Sequence, residues 1–183
     1  KIYNINKIMD LKPEIKIEKD TQLLPLNCGF AGRQFKIDSV SNKGLIGWLY
    51  QIQGIEKAYE MVNEYERDNN ITFDYILRAR HDVLFRSDVH LYSFDSEKIT
   101  IPDFHHWGGI NDRFSFGKKE LMKHYMKMFS NLYNDCSISN SIFMVRNAEW
   151  YCKYNLDTRK INYKTENIKF NRVRMDGQIS NDV

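Results

Sequence analysis

Apolar residues recur every three or four positions between residues 45 and 68, which is the spacing of one face of an α-helix. The members of this stripe are Leu45, Trp48, Leu49, Ile52, Ile55, Tyr59, Val62 and Tyr65. Ser41 and Asn42 stand before the stripe and are good capping residues, and polar residues 68–70 follow it. The pattern predicts a helix over 45–68 whose apolar face, including Trp48, packs into a core.

Short apolar runs bounded by polar turns predict the strands that accompany this helix. These strands are expected at 73–80, 83–85, 98–102, 114–117 and 168–173. Two further helices are predicted at 118–133 and at about 147–156. Residues 1–43 form an irregular N-terminal segment, with one short strand at most around Ile15 and Ile17. Because strands and helices alternate, an α/β fold with a mostly parallel sheet is expected, and ligands of such sheets bind at the carboxyl ends of the strands.

Composition limits the class of protein more than its function. The 183 residues suit one domain, and 42% hydrophobic with 28% charged residues exclude a wholly disordered chain. The net charge is +3 and the basic residues are scattered, so no nucleic-acid partner is predicted. No apolar run approaches the roughly 20 residues of a transmembrane helix. Cys28, Cys136 and Cys152 are widely spaced without a CxxC pattern, which favours a reducing, cytoplasmic compartment (the host cytoplasm for a viral protein).

The segment Arg78-Ala79-Arg80-His81-Asp82 places polar chemistry at the end of a predicted strand. Alternate residues of a strand share a face, so Arg78, Arg80 and Asp82 point the same way if the strand continues. Arginine offers forked donors to phosphate oxygens, and aspartate offers a hard oxygen ligand to a divalent cation. The segment therefore indicates either a site for a phosphate with a metal ion at Asp82 or an internal salt-bridge cluster.

A glycine-broken loop near the middle of the chain carries the second group of candidate residues. Gly108 and Gly109 let the backbone approach a ligand closely, and Trp107 can stack on a sugar ring. Asn111 and Asp112 can bind hydroxyl groups, and Asp112 can also act as a general base. The alternative is an ordinary turn, since Gly-Gly and Asn-Asp are common turn formers.

Histidines suggest a third kind of site. His81, Asp82, His105 and His106 can be combined into a zinc or two-metal hydrolase centre. Adjacent histidines do not easily aim at one ion from a strand, however, and no HExxH pattern is present. A metal-dependent phosphohydrolase is therefore an alternative and not the leading interpretation.

In their order along the chain, these motifs resemble a group of glycosyltransferase-A-fold enzymes that occur in bacterial polysaccharide loci and in large DNA viruses. The resemblance covers roughly residues 45–133: the first helix, the 73–85 segment, Ile101-Pro102-Asp103, and the loop Trp107-Gly108-Gly109-Ile110-Asn111-Asp112-Arg113-Phe114 followed by a helix. It implies a Rossmann-like, mostly parallel sheet flanked by helices and a nucleotide-sugar donor. By similarity, Asp112 is the base if the enzyme inverts, and Asp103 is a second candidate near the acceptor. The substrate-binding residues implied are Arg78, Arg80, Asp103, Trp107, Gly108, Gly109 and Asn111.

Two departures from the family pattern bear on these expectations. The metal-binding motif of the wider fold is Asp-x-Asp, whereas Arg80-His81-Asp82 keeps only the second acid. Either Asp82 holds Mg²⁺ or Mn²⁺ with the diphosphate and water, or the arginines replace the metal in part. No apolar strand of the kind that grips a nucleotide base is found before residue 43, so either the chain lacks that strand or the base is held differently.

The expected function is metal-assisted transfer of a hexosyl or deoxyhexosyl group from a nucleotide sugar to a glycan or glycoprotein acceptor. One domain over residues 1–183 would carry it. The remaining alternative is a non-catalytic carbohydrate- or nucleotide-binding module, which would keep Trp107 and the arginines but would be indifferent to loss of Asp82 or Asp112.

Overall fold

The computed structural model describes residues 28–30, 33–35, 43–91, 94–138 and 143–180. In this part, the helices are α1 (Lys43–Asn69), α2 (Lys119–Met126), α3 (Met128–Ile138) and α4 (Ala148–Thr158). The strands are β1 (Cys28–Phe30), β2 (Arg33–Phe35), β3 (Tyr75–Ala79), β4 (Val83–Phe85), β5 (Ile99–Pro102), β6 (Phe114–Lys118), β7 (Phe143–Val145), β8 (Tyr163–Glu166), β9 (Phe170–Val173) and β10 (Ile179–Ser180). The strand considered around Ile15 and Ile17 lies outside the described residues.

The strands form three mixed or antiparallel sheets, so the predicted Rossmann-like, mostly parallel sheet is wrong. The largest sheet has the order β3-β6-β5-β8, and the two smaller ones have the orders β2-β1-β7 and β10-β9-β4. Five of the seven strand pairs in the described part are antiparallel, and only β1–β7 and β5–β8 are parallel. A parallel crossover needs a dozen or more residues, usually with a helix. The 103–113 connection between β5 and β6 has no helix, so β6 returns antiparallel to its neighbour.

One face of the four-stranded sheet is covered by helices. The predicted helix over 45–68 is confirmed as α1 and packs its apolar stripe against this face. Ile76 of β3 and the two isoleucines of β5 point toward the helices, because alternate residues of a strand share a face. The resulting core is the larger of two, and Arg78 is buried on the same face.

The helix predicted over 118–133 is broken at Lys127 into α2 and α3. Met126 and Met128 flank the break, and both are buried in the same core. Residues two apart lie on nearly opposite sides of a continuous α-helix, which has 3.6 residues per turn. The break therefore lets both methionines reach the core, a requirement that helical periodicity alone does not reveal.

The opposite face of the sheet is covered by the small β4-β9-β10 sheet. Its core is aromatic, with Phe114 and Phe116 of β6 packed against residues from β4 and β9. The predicted strand over 168–173 is observed as β9, while β8 was not predicted. These two cores place the ends of β3, β5 and β6, and the loops that join them, at one edge of the molecule.

The cysteines differ from the expectation. Cys136 is disulfide-bonded, although the spacing predicted no such pairing, and disulfides are typical of oxidising compartments. The cysteine pattern therefore no longer supports the predicted cytoplasmic location. Cys152 is a buried free thiol whose pKa is raised by burial and by the nearby charge of Asp112, so it is not a candidate nucleophile. Among the described helices, none combines the length and the apolar character needed to cross a membrane.

Candidate functional site

A cleft of about 440 Å³ lies between α1 and the carboxyl end of β3. Its walls are formed by Tyr50, Gln51, Gly54, Ile55, Ala58, Arg78, Ala79, Arg80, His81 and Met126. This volume is within the usual range for small-molecule sites. The two arginines of the first predicted motif are therefore brought to one concave surface, where they face an aromatic and an amide side chain of α1.

Asp112 lies directly behind the wall of the cleft and is almost fully buried. Gln51 donates a hydrogen bond to Asp112 Oδ2 at 3.0 Å, and Arg78 donates to the backbone carbonyl of Asp112. Both donors line the cleft. The structure thus joins Arg78 and Asp112, which are 34 residues apart in the sequence, and holds the carboxylate one hydrogen bond behind Gln51 of the cleft wall.

Asp82 is held by Arg80 instead of standing free. Arg80 Nε donates to Asp82 Oδ1 at 2.9 Å, and Arg80 Nη2 donates to Oδ2 at 2.7 Å. Burial opposes ionisation of Asp82, but the bonds and charge of Arg80 outweigh it and lower the pKa of the carboxyl group. The strand has ended before Asp82, so this pair forms in the turn that follows β3.

The loop between β5 and β6 has a strained backbone and is held together by hydrogen bonds of its own residues. His105 and Trp107 both have left-handed backbones, with φ of +54° and +45°, a conformation that costs energy in residues other than glycine. Asn111 is completely buried: its Nδ2 donates to the carbonyl of Phe104 at 2.9 Å, and its Oδ1 accepts from the backbone N–H of Arg113 at 2.8 Å. Asn111 therefore shapes the loop that carries Asp112, and its hydroxyl-binding role stays a prediction.

Gly109 fixes this loop against the start of α4. A Cβ atom at this position would lie 1.9 Å from the backbone carbonyl oxygen of Glu149, and the N–H of Ile110 donates to the same oxygen at 3.1 Å. Gly108 has a φ of +82°, a conformation that glycine adopts without strain. Both predicted glycines are thus needed for the loop itself, and Gly109 makes its close approach to protein backbone.

Glu149 is a functional candidate that the sequence did not reveal. It stands in the first turn of α4, and its carboxyl group interacts electrostatically with Asp112, Arg113 and Arg80. Burial and the charge of Asp112 raise its pKa. A glutamate in the first turn of a helix is so common that its position alone gave no signal.

Arg113 completes this charged group. Its side chain is buried, and burial lowers the pKa of the guanidinium group. The negative charge of Asp112 raises this pKa but does not outweigh the effect of burial. Arg113 Nη1 lies 2.8 Å from His105 Nδ1, whereas its Nε atom has no hydrogen-bond partner within the described part of the chain. Arginine always donates, so His105 accepts at Nδ1.

Two predicted residues lie away from the cleft wall. Trp107 is 65% exposed on the strained loop, and its carbonyl accepts from Asn147 Nδ2 at 2.9 Å. It remains open to a ligand. Asp103 is exposed, and its carboxylate forms an ion pair with Lys169 at 2.9 Å.

The residues around Asp82 do not fit a resident divalent cation. Both carboxylate oxygens are engaged by Arg80, and no other carboxylate in the described ranges joins Asp82 in a group of three potential ligands. His105 contacts Arg113, and His106 Nδ1 accepts from the backbone N–H of Asn111 at 3.3 Å. His105 and His106, which were considered for a hydrolase centre, therefore both make hydrogen-bond contacts within the loop.

Comparison with known proteins gives one match. A family model described as a domain of unknown function (DUF7796) matches residues 21–176. No curated protein and no solved structure matches the chain.

Proposed function

This chain belongs to the DUF7796 family, and we propose that it is a glycosyltransferase. It would move a hexosyl or deoxyhexosyl group from a nucleotide-sugar donor to a hydroxyl group of a glycan or glycoprotein acceptor. The observation that carries the proposal is the cleft lined by Arg78 and Arg80, whose wall residue Gln51 also bonds the Asp112 carboxylate. Anion-binding groups and a candidate base are thus adjacent.

The donor would bind with its diphosphate at the arginines. Two guanidinium groups can form forked, charge-assisted hydrogen bonds to phosphate oxygens. Tyr50 is partly exposed at the cleft wall and offers an aromatic face to a base or a sugar. The volume of about 440 Å³ lies within the range of small-molecule sites.

The chemical step is a displacement at the anomeric carbon. The bond from this carbon to the diphosphate oxygen breaks, and its electron pair leaves with the diphosphate, where Arg80 would stabilise the developing charge. The acceptor oxygen forms the new bond to the anomeric carbon, and its proton passes to the Asp112 carboxylate. Trp107 would support the acceptor by stacking on a sugar ring.

The first experiment measures the melting temperature of the chain with UDP, GDP and their sugar conjugates. A ligand that binds only the folded state adds about 2.7 kcal/mol to the free energy of unfolding at a hundred times its dissociation constant, and this gain raises the melting temperature. Release of the nucleoside diphosphate from the stabilising conjugate, in the presence of a glycan acceptor, then reports transfer. We expect one nucleotide to stabilise the protein and its conjugate to be turned over.

The Asp112→Asn variant separates catalysis from binding. It keeps an acceptor for Gln51, so we expect unchanged nucleotide binding with transfer reduced at least a hundredfold, the usual worth of a positioned general base. Asp157→Asn is the matched control, because Asp157 is exposed on α4 and pairs only locally with Lys153. Full transfer by Asp112→Asn would exclude this residue as the base.

A non-catalytic binding module is the second candidate, and one observation favours it. The two carboxylates Asp82 and Asp112 both already have protein donors, as in a purely structural network. A module of this kind would be stabilised by a nucleotide or glycan but would release no nucleoside diphosphate from any conjugate, in either the natural chain or Asp112→Asn.

A further inference from the structure

The Arg80–Asp82 pair determines how the cleft can bind an anion. Its two hydrogen bonds, at 2.9 Å and 2.7 Å, engage both carboxylate oxygens with two nitrogens of one guanidinium group. Bidentate pairs of this kind fix orientation as well as adding energy. The side chains are 26% and 18% exposed, so the pair is partly shielded from water.

The backbone around the pair is fixed as well. The N–H of Arg80 donates to the carbonyl of Arg113 at 2.9 Å, and the carbonyl of Asp82 accepts from Val173 of β9 at 2.8 Å. The two ends of the pair are therefore tied to different sheets. Arg80 still lines the cleft, which leaves part of its guanidinium group available to a ligand, since arginine has five donor hydrogens and Asp82 engages two nitrogens.

A divalent cation at Asp82 would have to displace this guanidinium group. The diphosphate and water could complete the shell of such an ion beside one carboxylate, but Arg80 would lose the partner that now engages two of its nitrogens. Removing one member of a partly buried ion pair leaves an uncompensated charge and is unfavourable. The donor set of the site thus favours the arginines over a metal as the source of positive charge.

We propose that Asp82 is a positioning residue for Arg80 and that the Arg78–Arg80 cleft binds a diphosphate group without a divalent cation. The proposal rests on the proposed transferase function, which it deepens by naming how the leaving group is held. Asp82 keeps the Arg80 fork aimed along the cleft wall, and Arg78, fixed through the Asp112 carbonyl, supplies the second cation. Charge that develops on the departing diphosphate is then neutralised by protein alone.

The test is calorimetric titration of the whole chain with UDP, GDP and inorganic pyrophosphate, in a chelator and again in Mn²⁺ or Mg²⁺. Pyrophosphate reports the diphosphate subsite whatever the base of the donor. We expect affinities in chelator that are equal to or tighter than those with metal. Arg80→Gln should weaken binding at least tenfold under both conditions, and Arg80→Lys should recover part of the loss, because lysine restores the charge but not the fork.

Asp82→Asn distinguishes positioning from metal binding. Its amide oxygen still accepts one bond from Arg80, so we expect a several-fold weaker affinity that is the same with and without metal. The exposed pair Arg67–Asp68, joined at 3.0 Å at the end of α1, is the matched control: Arg67→Gln and Asp68→Asn should leave binding unchanged.

Two outcomes would overturn the inference, and they are distinguishable. Binding that tightens tenfold or more with Mn²⁺ or Mg²⁺, with the gain lost in Asp82→Asn, would make Asp82 a metal ligand and leave the transferase proposal standing. No binding of any of the three probes under any condition, from a chain with a cooperative melting transition, would remove both proposals together.

Discussion

The two faces of the four-stranded sheet are built differently. The helix-covered face buries aliphatic and aromatic side chains, Trp48 and Tyr151 included, together with charged groups. Among the charged groups are Arg78, bonded to the Asp112 carbonyl, and Glu56, which accepts from Ser130 of α3. The opposite face is closed by aromatic rings: Phe85 meets Phe114 and Phe170 edge-on at 5.6 Å and 5.7 Å. One face therefore combines packing with positioned charge, while the other is a compact apolar cluster.

This difference separates stability from function. The aromatic pairs contribute to stability through buried area and ring geometry. Buried charges are costly unless they are paired, so a sheet face that buries an arginine beside a cleft uses it for positioning or binding. We expect substitutions on the aromatic face to change the free energy of unfolding, and substitutions near Arg78 to change ligand binding.

The largest effect is expected from Phe170→Ala. Phe170 is fully buried between Phe85 and Phe104, and loss of such a ring costs about 3–5 kcal/mol of the free energy of unfolding. Denaturant unfolding measures this loss, and Phe170→Leu gives a smaller one if the alanine variant does not fold. Pyrophosphate binding to Phe170→Leu should be unchanged, whereas Arg78→Met should bind at least tenfold more weakly. Equal loss of binding in both variants would break the distinction between the faces.

Gly109→Ala should have the next largest effect. The added Cβ atom would lie 1.9 Å from the Glu149 carbonyl oxygen, so the loop and α4 must separate, and overpacking of this kind costs about 1–3 kcal/mol. Gly47→Ala is the matched control, since a Cβ there meets nothing within 4 Å. Gly47 lies inside α1, where alanine is favoured over glycine by about 1 kcal/mol. In denaturant unfolding we expect Gly109→Ala to lower the free energy of unfolding and Gly47→Ala to raise it. An unchanged free energy in Gly109→Ala would mean that the loop is not held closely against α4.

Local patterns predicted most of the elements because they depend on neighbours in sequence. The stripe over 45–68 gave the position of α1 to within two residues, and the short apolar runs located β3, β5 and β6. β8 was missed because three of its four residues, Lys164, Thr165 and Glu166, are polar and none of the four is fully buried. The direction in which strands pair depends on contacts between distant segments, so the alternation of elements alone led to the wrong sheet.

The candidate site was predictable in its residues and less so in their roles. The motifs drew attention to Arg78, Arg80 and Asp112, because arginines on a buried sheet face need an anionic partner, and the part these residues play in binding a substrate stays a prediction. Their partners could not be read from spacing: Gln51 reaches Asp112 across 61 positions. Gly109 was interpreted as a place where backbone meets ligand, yet the close neighbour is the Glu149 carbonyl, a contact that depends on where α4 packs.

Glu149→Gln tests the charge balance beside Asp112 through the pH dependence of stability. Because the folded state raises the pKa of Glu149, the unfolded chain ionises this group first as the pH rises, and the folded state loses relative stability through that interval. The neutral glutamine avoids this cost. We expect Glu149→Gln to melt at a higher temperature than the natural chain at neutral pH, a gain of about 1 kcal/mol or less.

The gain should disappear at a pH below the ordinary pKa of glutamate, where the side chain is protonated in both states. Glu60→Gln is the control, since Glu60 is exposed on α1, and it should show no such pH-dependent gain. A gain from Glu149→Gln that stays constant with pH, or a loss at neutral pH, would show that ionised Glu149 stabilises the site.

A change of similar size is expected at Thr100, a polar residue on the aromatic face of the sheet. Thr100 of β5 is fully buried opposite Phe116, and its Oγ1 atom has no hydrogen-bond partner among the residues that the structure describes. Valine has the same shape without the hydroxyl group, so Thr100→Val should raise the free energy of unfolding by about 1 kcal/mol. Thr165→Val on β8, where the side chain is exposed, should change it by less than about 0.5 kcal/mol. A loss of stability in Thr100→Val would mean that the hydroxyl group is bonded after all, and that the aromatic face, like the helix-covered one, relies on paired polar groups.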